Sequence, residues 1–275
     1  MKPDASPRYG LRVRSMPLGW ATDLAILELT GSAVERHGDY VVVRTPGNPD
    51  YHWGHCLLVT DQASVNDADH WVGTFHEEFP AATWLAVGLP TMPHDVDAWV
   101  RQGMDLEQLD VLSTASIPRS AALPDGYTVR HLAGEDWDTM TAREIADNLA
   151  KGEYDPVIHE RFVTETMATR RRLCQQGSAA WFGAFSSGDL VSDLGIVRCD
   201  RIARYQAVGT HPGHRRRGLA SHLLGVAAAW SVEHGCDKWV IVTESTNDAG
   251  RVYRRAGFAL DEAEVNAYRP PPFAL

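Results

Sequence analysis

The chain has 275 residues, 44% of them hydrophobic and 23% charged, and its formal net charge is -10. This length suits two domains of ordinary size, and the apolar content is sufficient for a sizeable core. Because binding to a phosphate backbone needs many clustered cations, the acidic balance argues against a nucleic-acid partner. The long-range field instead favours small molecules that carry an amine or another positive charge.

Targeting signals and cysteine usage both point to the cytoplasm. The N-terminal MKPDASPRYG lacks an apolar h-region, and no run of the sequence approaches the roughly 18 apolar residues of a membrane span. The four cysteines form no CxxC pair, which suits a reducing compartment and argues against structural zinc. We therefore expect a soluble cytoplasmic protein with no metal site and no membrane partner.

A proline-containing segment, SIPRSAALPDG (Ser116–Gly126), separates two halves that each have the size of a domain. We expect one domain at 1–118 and a second at 119–275. In the first half, YVVVRT and WGHCLLVT have strand composition; a helix at ADHWVGTFHEEF, a strand at TWLAVGL and a helix at DVDAWVRQGM follow. The preceding LAILELTGSAVERHGD fits either a strand or a helix.

The second half predicts the order β-α-α-β-β-β-α-β-α-β. Asp155 and Pro156 are typical of the N-cap and first residue of a helix, and SSGD between two apolar runs indicates a hairpin. A helix from Gly218 to about His234 is followed by a strand at KWVIVTES, a short helix at NDAGRVYRRAGF and a last strand in VNAYRPPPFAL. This order predicts an antiparallel start that leads into a βαβ unit.

Two arginine triplets occur in different contexts. Arg170–Arg172 lie near the C-terminal end of a predicted helix, where cations complement the helix dipole. Arg215–Arg217 lie at a strand-to-helix turn between Gly213 and Gly218, where the unpaired amides of a helix start can bind phosphate oxygens. The lysine of a P-loop and the GxGxxG of a dinucleotide fold are both missing from this turn. The turn therefore predicts a site for another phosphate-bearing ligand.

The stretch AVGTHPGHRRRGLASHLL resembles the acyl-coenzyme A signature of the GNAT acetyltransferase superfamily, Arg/Gln-x-x-Gly-x-Gly/Ala. Arg215, Gly218 and Ala220 match this pattern, and the family's Asn, Tyr and Gly-Phe spacing recurs at Asn247, Tyr253 and Gly257–Phe258. The resemblance runs from about Tyr127 to the C-terminus. The pattern is missing before the proline-containing segment, so we interpret the first half as a degenerate GNAT-like domain without a cofactor motif.

The resemblance implies an α+β fold of two GNAT-like domains, each a mixed, mostly antiparallel twisted sheet flanked by helices, with a splayed central strand in the C-terminal one. It implies acetyl-coenzyme A as cofactor and direct transfer of the acetyl group to the amine of a small molecule, by a monomer or homodimer. The implied cofactor contacts are Val208, Gly209, Thr210, Arg215, Arg216, Arg217, Gly218, Leu219, Ala220, Ser221, Asn247 and Tyr253.

Some of these residues have two interpretations. Gly209 suits a bulge or a close backbone approach to pantetheine, but also a poorly packed strand. Asn247 can cap the following helix as well as contact pantetheine. Tyr253 is the implied general acid that protonates the departing sulfur, and it can equally be a core aromatic. Arg215–Ser221 would hold the pyrophosphate.

The general base and the acceptor have weaker signals. Where many relatives have a glutamate early in the strand, this chain has Arg204, so a water relay or another group must take the proton. Glu244, His211 and Asp193 are the candidates. This departure also leaves open a coenzyme A binding sensor or pseudoenzyme without turnover, whereas a nucleic-acid binding module has only HRRR in its favour.

The acceptor side of the site has two sets of candidate residues. Tyr51 and Trp53 are expected to line a pocket at the domain junction, and Glu153 and Asp155 fall where relatives contact their acceptors. His52 and His55 flank Trp53 at the boundary of a loop and a strand. A structural role suits this pair better than metal binding does. The identity of the acceptor is not predicted.

Overall fold

The computed structural model describes residues 16–272. The first half contains three helices and five strands: α1 (Leu18–Leu29), β1 (Ala33–Arg36), β2 (Tyr40–Arg44), β3 (His55–Val59), α2 (Ala68–Glu78), β4 (Leu85–Leu89), α3 (Val96–Arg101) and β5 (Asp105–Thr114). The ambiguous segment before Tyr40 thus divides into a helix and a short strand. The N-terminal segment MKPDASPRYG lies within residues 1–15, which are outside the described residues.

The second half has the predicted order of elements. It contains β6 (Tyr127–His131), α4 (Glu135–Lys151), α5 (Pro156–Gln175), β7 (Ala179–Ser186), β8 (Asp189–Cys199), β9 (Ile202–Thr210), α6 (Leu219–Glu233), β10 (Lys238–Glu244), α7 (Ala249–Ala256) and β11 (Ala259–Arg269). The end of the predicted tail strand, 273–275, lies outside the described residues. No helix within 16–272 is both long and apolar enough to cross a membrane.

Local sequence signals account for the boundaries in the second half. Asp155 is the N-cap of α5, its side chain accepts hydrogen bonds from the amides of Val157 and Ile158, and Pro156 is the first helical residue. Between β7 and β8, Ser187 and Gly188 have φ of 53° and 95°, as a two-residue hairpin turn requires. Both predictions are confirmed.

All strands join one mixed sheet in the order β1-β2-β3-β4-β11-β5-β10-β9-β8-β7-β6. β5, from the first half, lies between β10 and β11 and pairs antiparallel with both, with Leu112 opposite Ile241 and Leu260. β11, from the second half, lies between β4 and β5. Each half therefore contributes one strand that is flanked on both sides by strands of the other half. The division at residue 118 stays a prediction.

Alternating side chains divide the core of the second half between the two faces of the sheet. On β7, Ala180 and Phe182 belong to the buried cluster under α6 and α7, whereas Ala179 and Trp181 belong to the cluster under α4 and α5. Helix α1 of the first half packs on the second face through Ala25 and Ile26. The sheet thus presents one face to the predicted cofactor helices α6 and α7 and the other to α1, α4 and α5.

Candidate active site

The two parallel strands at the centre of the sheet separate. β9 and β10 pair only from Ile202 to Arg204 and from Lys238 to Val240. Beyond these residues β9 continues to Thr210 on β8, and β10 continues to Glu244 on β5. The edge of β9 that faces β10 is therefore open beyond Arg204, so its peptide groups can bond to an extended ligand. This confirms the predicted splayed strand.

A bulge lies in the open part of β9. Asp193 of β8 is opposite Gly209, but Gly195 is opposite Gln206, so β9 contains one extra residue within Ala207–Val208. Ala207 has φ of 49°, a conformation that costs a residue with a Cβ roughly 1 kcal/mol or more. The irregularity thus precedes Gly209, which keeps an extended backbone. The bulge reorients the strand just before the turn to α6.

The turn after β9 presents the start of α6 without a protein cap. Gly218 is the N-cap residue with φ of 86°, and no side chain caps the helix. Within residues 16–272, the amides of Gly218, Leu219, Ala220 and Ser221 donate no hydrogen bond to the protein. Because these amides are at the positive end of the helix dipole, the turn is suited to an anion.

The three arginines of the turn have different roles. Arg215 Nε donates to the carbonyl of Thr210 at 3.1 Å, which folds the turn back onto the end of β9. Arg217 donates to the hydroxyl of Tyr127 at 3.0 Å and to the carbonyl of Gly213 at 3.3 Å. Arg216 is exposed and has φ of 62°. In the described part of the chain none of the three pairs with a carboxylate, so their positive charge is not neutralised.

The predicted residues of α7 lie at its start and in its buried face. Asn247 Oδ1 accepts a hydrogen bond from the Ala249 amide at 2.9 Å and so supports the first turn of the helix. Tyr253 is 5% exposed and packs in the core beneath α6 and α7. Burial raises the pKa of Tyr253 to about 12, while the Arg204 charge opposes this shift. The phenol therefore keeps its proton at neutral pH.

A cavity of about 310 Å³ lies on the opposite face, against the bulge of β9; we call it the bulge cavity. Ala207, Val208 and Gly209 line it together with side chains of α4, α5 and β8. Asp193 is nearly fully buried there, and its Oδ2 is 2.6 Å from an Arg143 nitrogen. Burial raises the pKa of Asp193, with Arg143 acting in the opposite direction.

The bulge cavity separates the three candidates for a general base. Asp193 lines it, whereas Glu244 lies exposed at the end of β10. His211 is exposed and accepts a hydrogen bond from the Gly213 amide through Nδ1 at 3.3 Å, so it shapes the turn. Arg204 is also engaged: its Nη2 is 3.0 Å from Asp23 Oδ1 of α1. A buried cation in this position holds α1 on the sheet.

Sequence reasoning missed the contribution of α5 to the bulge cavity. Phe162, Thr166 and Arg170 line it at a spacing of one helical turn. The guanidinium of Arg170 lies 5.5 Å from the Trp181 ring centroid, so this residue belongs to the cavity wall in addition to the helix end at which it was predicted. The periodic spacing along α5 was the signal that could have identified this face.

A second and larger cavity, of about 470 Å³, lies where the two halves meet; we call it the aromatic cavity. Tyr51 and Trp53 line it, as predicted. From the connection between α4 and α5, Tyr154 lines it, whereas Asp155 caps α5 and Glu153 lies 3.7 Å from Lys151. The connection between α4 and α5 therefore reaches the cavity, but through Tyr154 and not through Glu153 or Asp155.

The two histidines beside Trp53 have structural partners. His52 Nδ1 is 2.7 Å from the Tyr268 hydroxyl, and its ring stacks on Trp84 at 4.5 Å. Burial lowers the pKa of His52, so its ring is neutral at neutral pH. His55 Nε2 is 3.3 Å from the carbonyl of Asn48. Within residues 16–272, no group of three or more His, Cys, Asp or Glu side chains could hold a metal ion.

The open parallel strands, the bulge and the uncapped helix start define a class of fold that comparison with known proteins identifies. Residues 145–258 match the Acetyltransferase (GNAT) family. The matched residues include the bulge of β9 and the turn before α6. No curated protein matches the sequence.

Solved structures extend the likeness of fold to nearly the whole chain. A GCN5-related N-acetyltransferase from Kribbella flavida covers 92% of this chain and 97% of its own, with TM-score 0.63 at 19% identity. A functionally unknown conserved protein from Staphylococcus epidermidis ATCC 12228 gives 0.64 at 10% identity, covering 88% and 96%. A tandem GNAT protein from the clavulanic acid biosynthesis pathway gives 0.54 at 13% identity, covering 90% and 88%. The two-domain GNAT-like fold expected from the sequence is confirmed.

Proposed function

We propose that this protein is an acetyl-coenzyme A dependent N-acetyltransferase that transfers an acetyl group to the amine of a small molecule by direct attack. The observation that carries the proposal is the meeting of two unpartnered sets of peptide groups. The open edge of β9 ends at the turn whose amides, Gly218–Ser221, have no acceptor in residues 16–272. Both sets offer hydrogen-bonding groups to a ligand.

The residues of the turn fit the cofactor. The amides of Gly218–Ser221 and the free charge of Arg216 suit a pyrophosphate. Val208 and the amide of Thr210 on the open edge of β9 can form main-chain hydrogen bonds with the amides of pantetheine. The Thr210 carbonyl already accepts a hydrogen bond from Arg215 Nε. Acetyl-coenzyme A, when bound, would supply an acetyl group activated as a thioester.

Three groups of this chain would carry the proton and charge movements. Tyr253 holds its proton at neutral pH and can give it to a leaving thiolate. A main-chain N–H on the open edge of β9 can stabilise a carbonyl oxygen that gains negative charge. Asp193, in the bulge cavity, can accept the proton that the acceptor nitrogen loses, because burial raises its pKa towards the useful range. No covalent bond to the protein is needed.

One observation favours a second candidate, a coenzyme A binding sensor without turnover. Arg204 occupies the strand position where a glutamate was expected, and its pairing with Asp23 uses this position to hold α1. A protein that has lost its base in this way could keep the cofactor site and lose the reaction. We also propose a cytoplasmic location, which the four free cysteines support.

Turnover separates the two functions. Acetyl-coenzyme A is incubated with the purified protein and a panel of primary amines, and released thiol is followed with a chromogenic disulfide. The enzyme predicts amine-dependent thiol release. Tight binding of acetyl-coenzyme A by calorimetry, with no thiol release for any amine, would favour the sensor. Absence of binding would contradict both.

A further inference from the structure

The aromatic cavity has the size and the walls of a small-molecule site. Its volume of about 470 Å³ suits one ligand of moderate size. Five aromatic side chains line it and come from both halves of the chain: Tyr51, Trp53, Tyr154, Phe162 and Tyr268. Such rings offer large apolar contact together with faces that attract a cation.

The charges around this cavity are negative. Asp50, Asp105 and Glu107 line it, and none of its lining residues is lysine or arginine. Asp50 is compensated by Arg161, which donates to both carboxylate oxygens at 2.8 and 3.0 Å. Asp105 and Glu107 form no ion pair with any residue of 16–272. Two carboxylates at the cavity are therefore left without a cation.

The neighbouring groups maintain this charge. His52, on the wall, is neutral at neutral pH because burial lowers its pKa. Burial and the charge of Glu244 raise the pKa of Glu107. A cationic ligand would relieve this repulsion. An anionic ligand would add to it.

The aromatic cavity adjoins the bulge cavity. Phe162 lines both, and the bulge cavity is bounded by Ala207, Val208 and Gly209 of the open strand. The two cavities thus share a wall residue, and the bulge cavity borders the strand at which the thioester would lie. An acceptor has to reach that strand to react, and the aromatic cavity lies next to it.

We infer that the aromatic cavity binds the acceptor, and that the acceptor is a cationic amine with an aromatic or cyclic apolar body. The apolar body packs against the rings, and the two uncompensated carboxylates favour the positive charge that the amine carries before it loses its proton to react. The assignment of this ligand as acceptor rests on the proposed function, whereas its binding does not.

Calorimetry with three probes of the same shape tests the inference on the full chain without cofactor. The probes are 2-phenylethylammonium, its neutral counterpart 2-phenylethanol and the anion 3-phenylpropionate. The ammonium should bind about 10-fold more tightly than the alcohol, since cation-π and carboxylate contacts each contribute on this scale. No heat with the anion is expected. Equal affinities of the ammonium and the alcohol, or no heat with the ammonium, would overturn the inference.

Variants locate the binding site. Glu107→Gln should weaken binding of the ammonium about five-fold and Asp105→Asn with Glu107→Gln about 20-fold, with the alcohol unchanged. Tyr154→Ala, at a side chain that is 41% exposed, should weaken both ligands. Glu233→Gln, on the exposed end of α6, is the matched control and should change neither. Wild-type affinity for the ammonium in the double variant would overturn the inference.

A parallel titration with coenzyme A separates this inference from the proposed function. Binding of coenzyme A without binding of the ammonium would overturn the inference alone. Binding of the ammonium without coenzyme A would support the cavity assignment and contradict the acetyltransferase.

Discussion

The carboxylate of Glu264 on β11 lies directly against the backbone of Gly19 on α1. A Cβ at Gly19 would come within 2.5 Å of Glu264 Oε2. Glu264 is 1% exposed, and its Oε2 has no hydrogen-bond partner in the described residues. Glu262, on the same strand, accepts a hydrogen bond from the amide of Leu18. The first helix of the first half is therefore seated on carboxylates of the last strand of the second half.

Replacing Glu264 by glutamine should stabilise the protein, and more so at higher pH. Burial and the Asp23 charge raise the pKa of Glu264 from 4.5 to about 8. Between these values the folded protein holds a proton that the unfolded chain has lost, so the free energy of unfolding falls as pH rises. Above about pH 8 the folded carboxyl is ionised as well. The free energy of unfolding is then lowered by the full cost of this buried charge, which we call the penalty.

Glu264→Gln removes this penalty. We expect a gain of about 1 kcal/mol or more at pH 8, or about 2–4 °C in Tm. The difference in Tm between variant and wild type should become small at pH 4.5, where the folded carboxyl is protonated and the unfolded one is half protonated. Thermal unfolding of both proteins from pH 4.5 to 9 measures this difference in Tm. If Tm of the two proteins changes in parallel with pH, Glu264 titrates normally and the prediction is wrong.

Two glycine-to-alanine changes in helices should have opposite signs. Gly19→Ala places a methyl group against the buried Glu264 carboxylate, which cannot swing into solvent, and should destabilise by about 1–3 kcal/mol. Gly73→Ala, in the exposed face of α2 with no atom within 4 Å of the new Cβ, should stabilise by about 0.5–1 kcal/mol. Urea unfolding gives both values. Equal effects would mean that α1 is not packed closely on β11.

Tyr253→Phe should separate binding from turnover. The hydroxyl is the proposed proton donor, and hydrogen bonding makes no contribution to its raised pKa of about 12. We therefore expect kcat to fall about 100-fold while the Kd for coenzyme A and the Tm stay unchanged. Because the phenol ionises only near pH 12, wild-type turnover should show no alkaline loss from this group below about pH 10. Undiminished kcat in the variant would assign Tyr253 to the core alone.

The sequence predicted the second half well because its elements end at local signals. Asp155 with Pro156 and the Ser187–Gly188 turn act within a few residues. β5 was not predicted, because DLEQLDVLST neither alternates nor forms an apolar run, and its partners β10 and β11 lie more than 100 residues further along the chain. Glu107, and with it the charge of the aromatic cavity, was missed for the same reason.

The candidate site was predicted in a similarly uneven way. A short signature places Arg215, Gly218 and Ala220 at the turn, since backbone conformation there depends on neighbouring residues. The bulge at Ala207 was expected at Gly209, because glycine is the usual marker of such irregularity and alanine at positive φ gives no signal. Arg143 and Arg170 reach the bulge cavity only through the packing of α4 and α5, which no motif encodes.

The amides at the start of α6 are proposed to bind the pyrophosphate of coenzyme A. Calorimetric titration of coenzyme A into Ala220→Glu, with Ala229→Glu on the exposed face of the same helix as control, tests it most directly. A carboxylate in the first turn favours the helix dipole, so Ala220→Glu should keep or raise Tm while its charge repels the diphosphate. We expect Ala220→Glu to weaken binding of coenzyme A about 10-fold or more and Ala229→Glu to bind like wild type. Equal affinities for the two variants, or no binding by the wild-type chain, would contradict it.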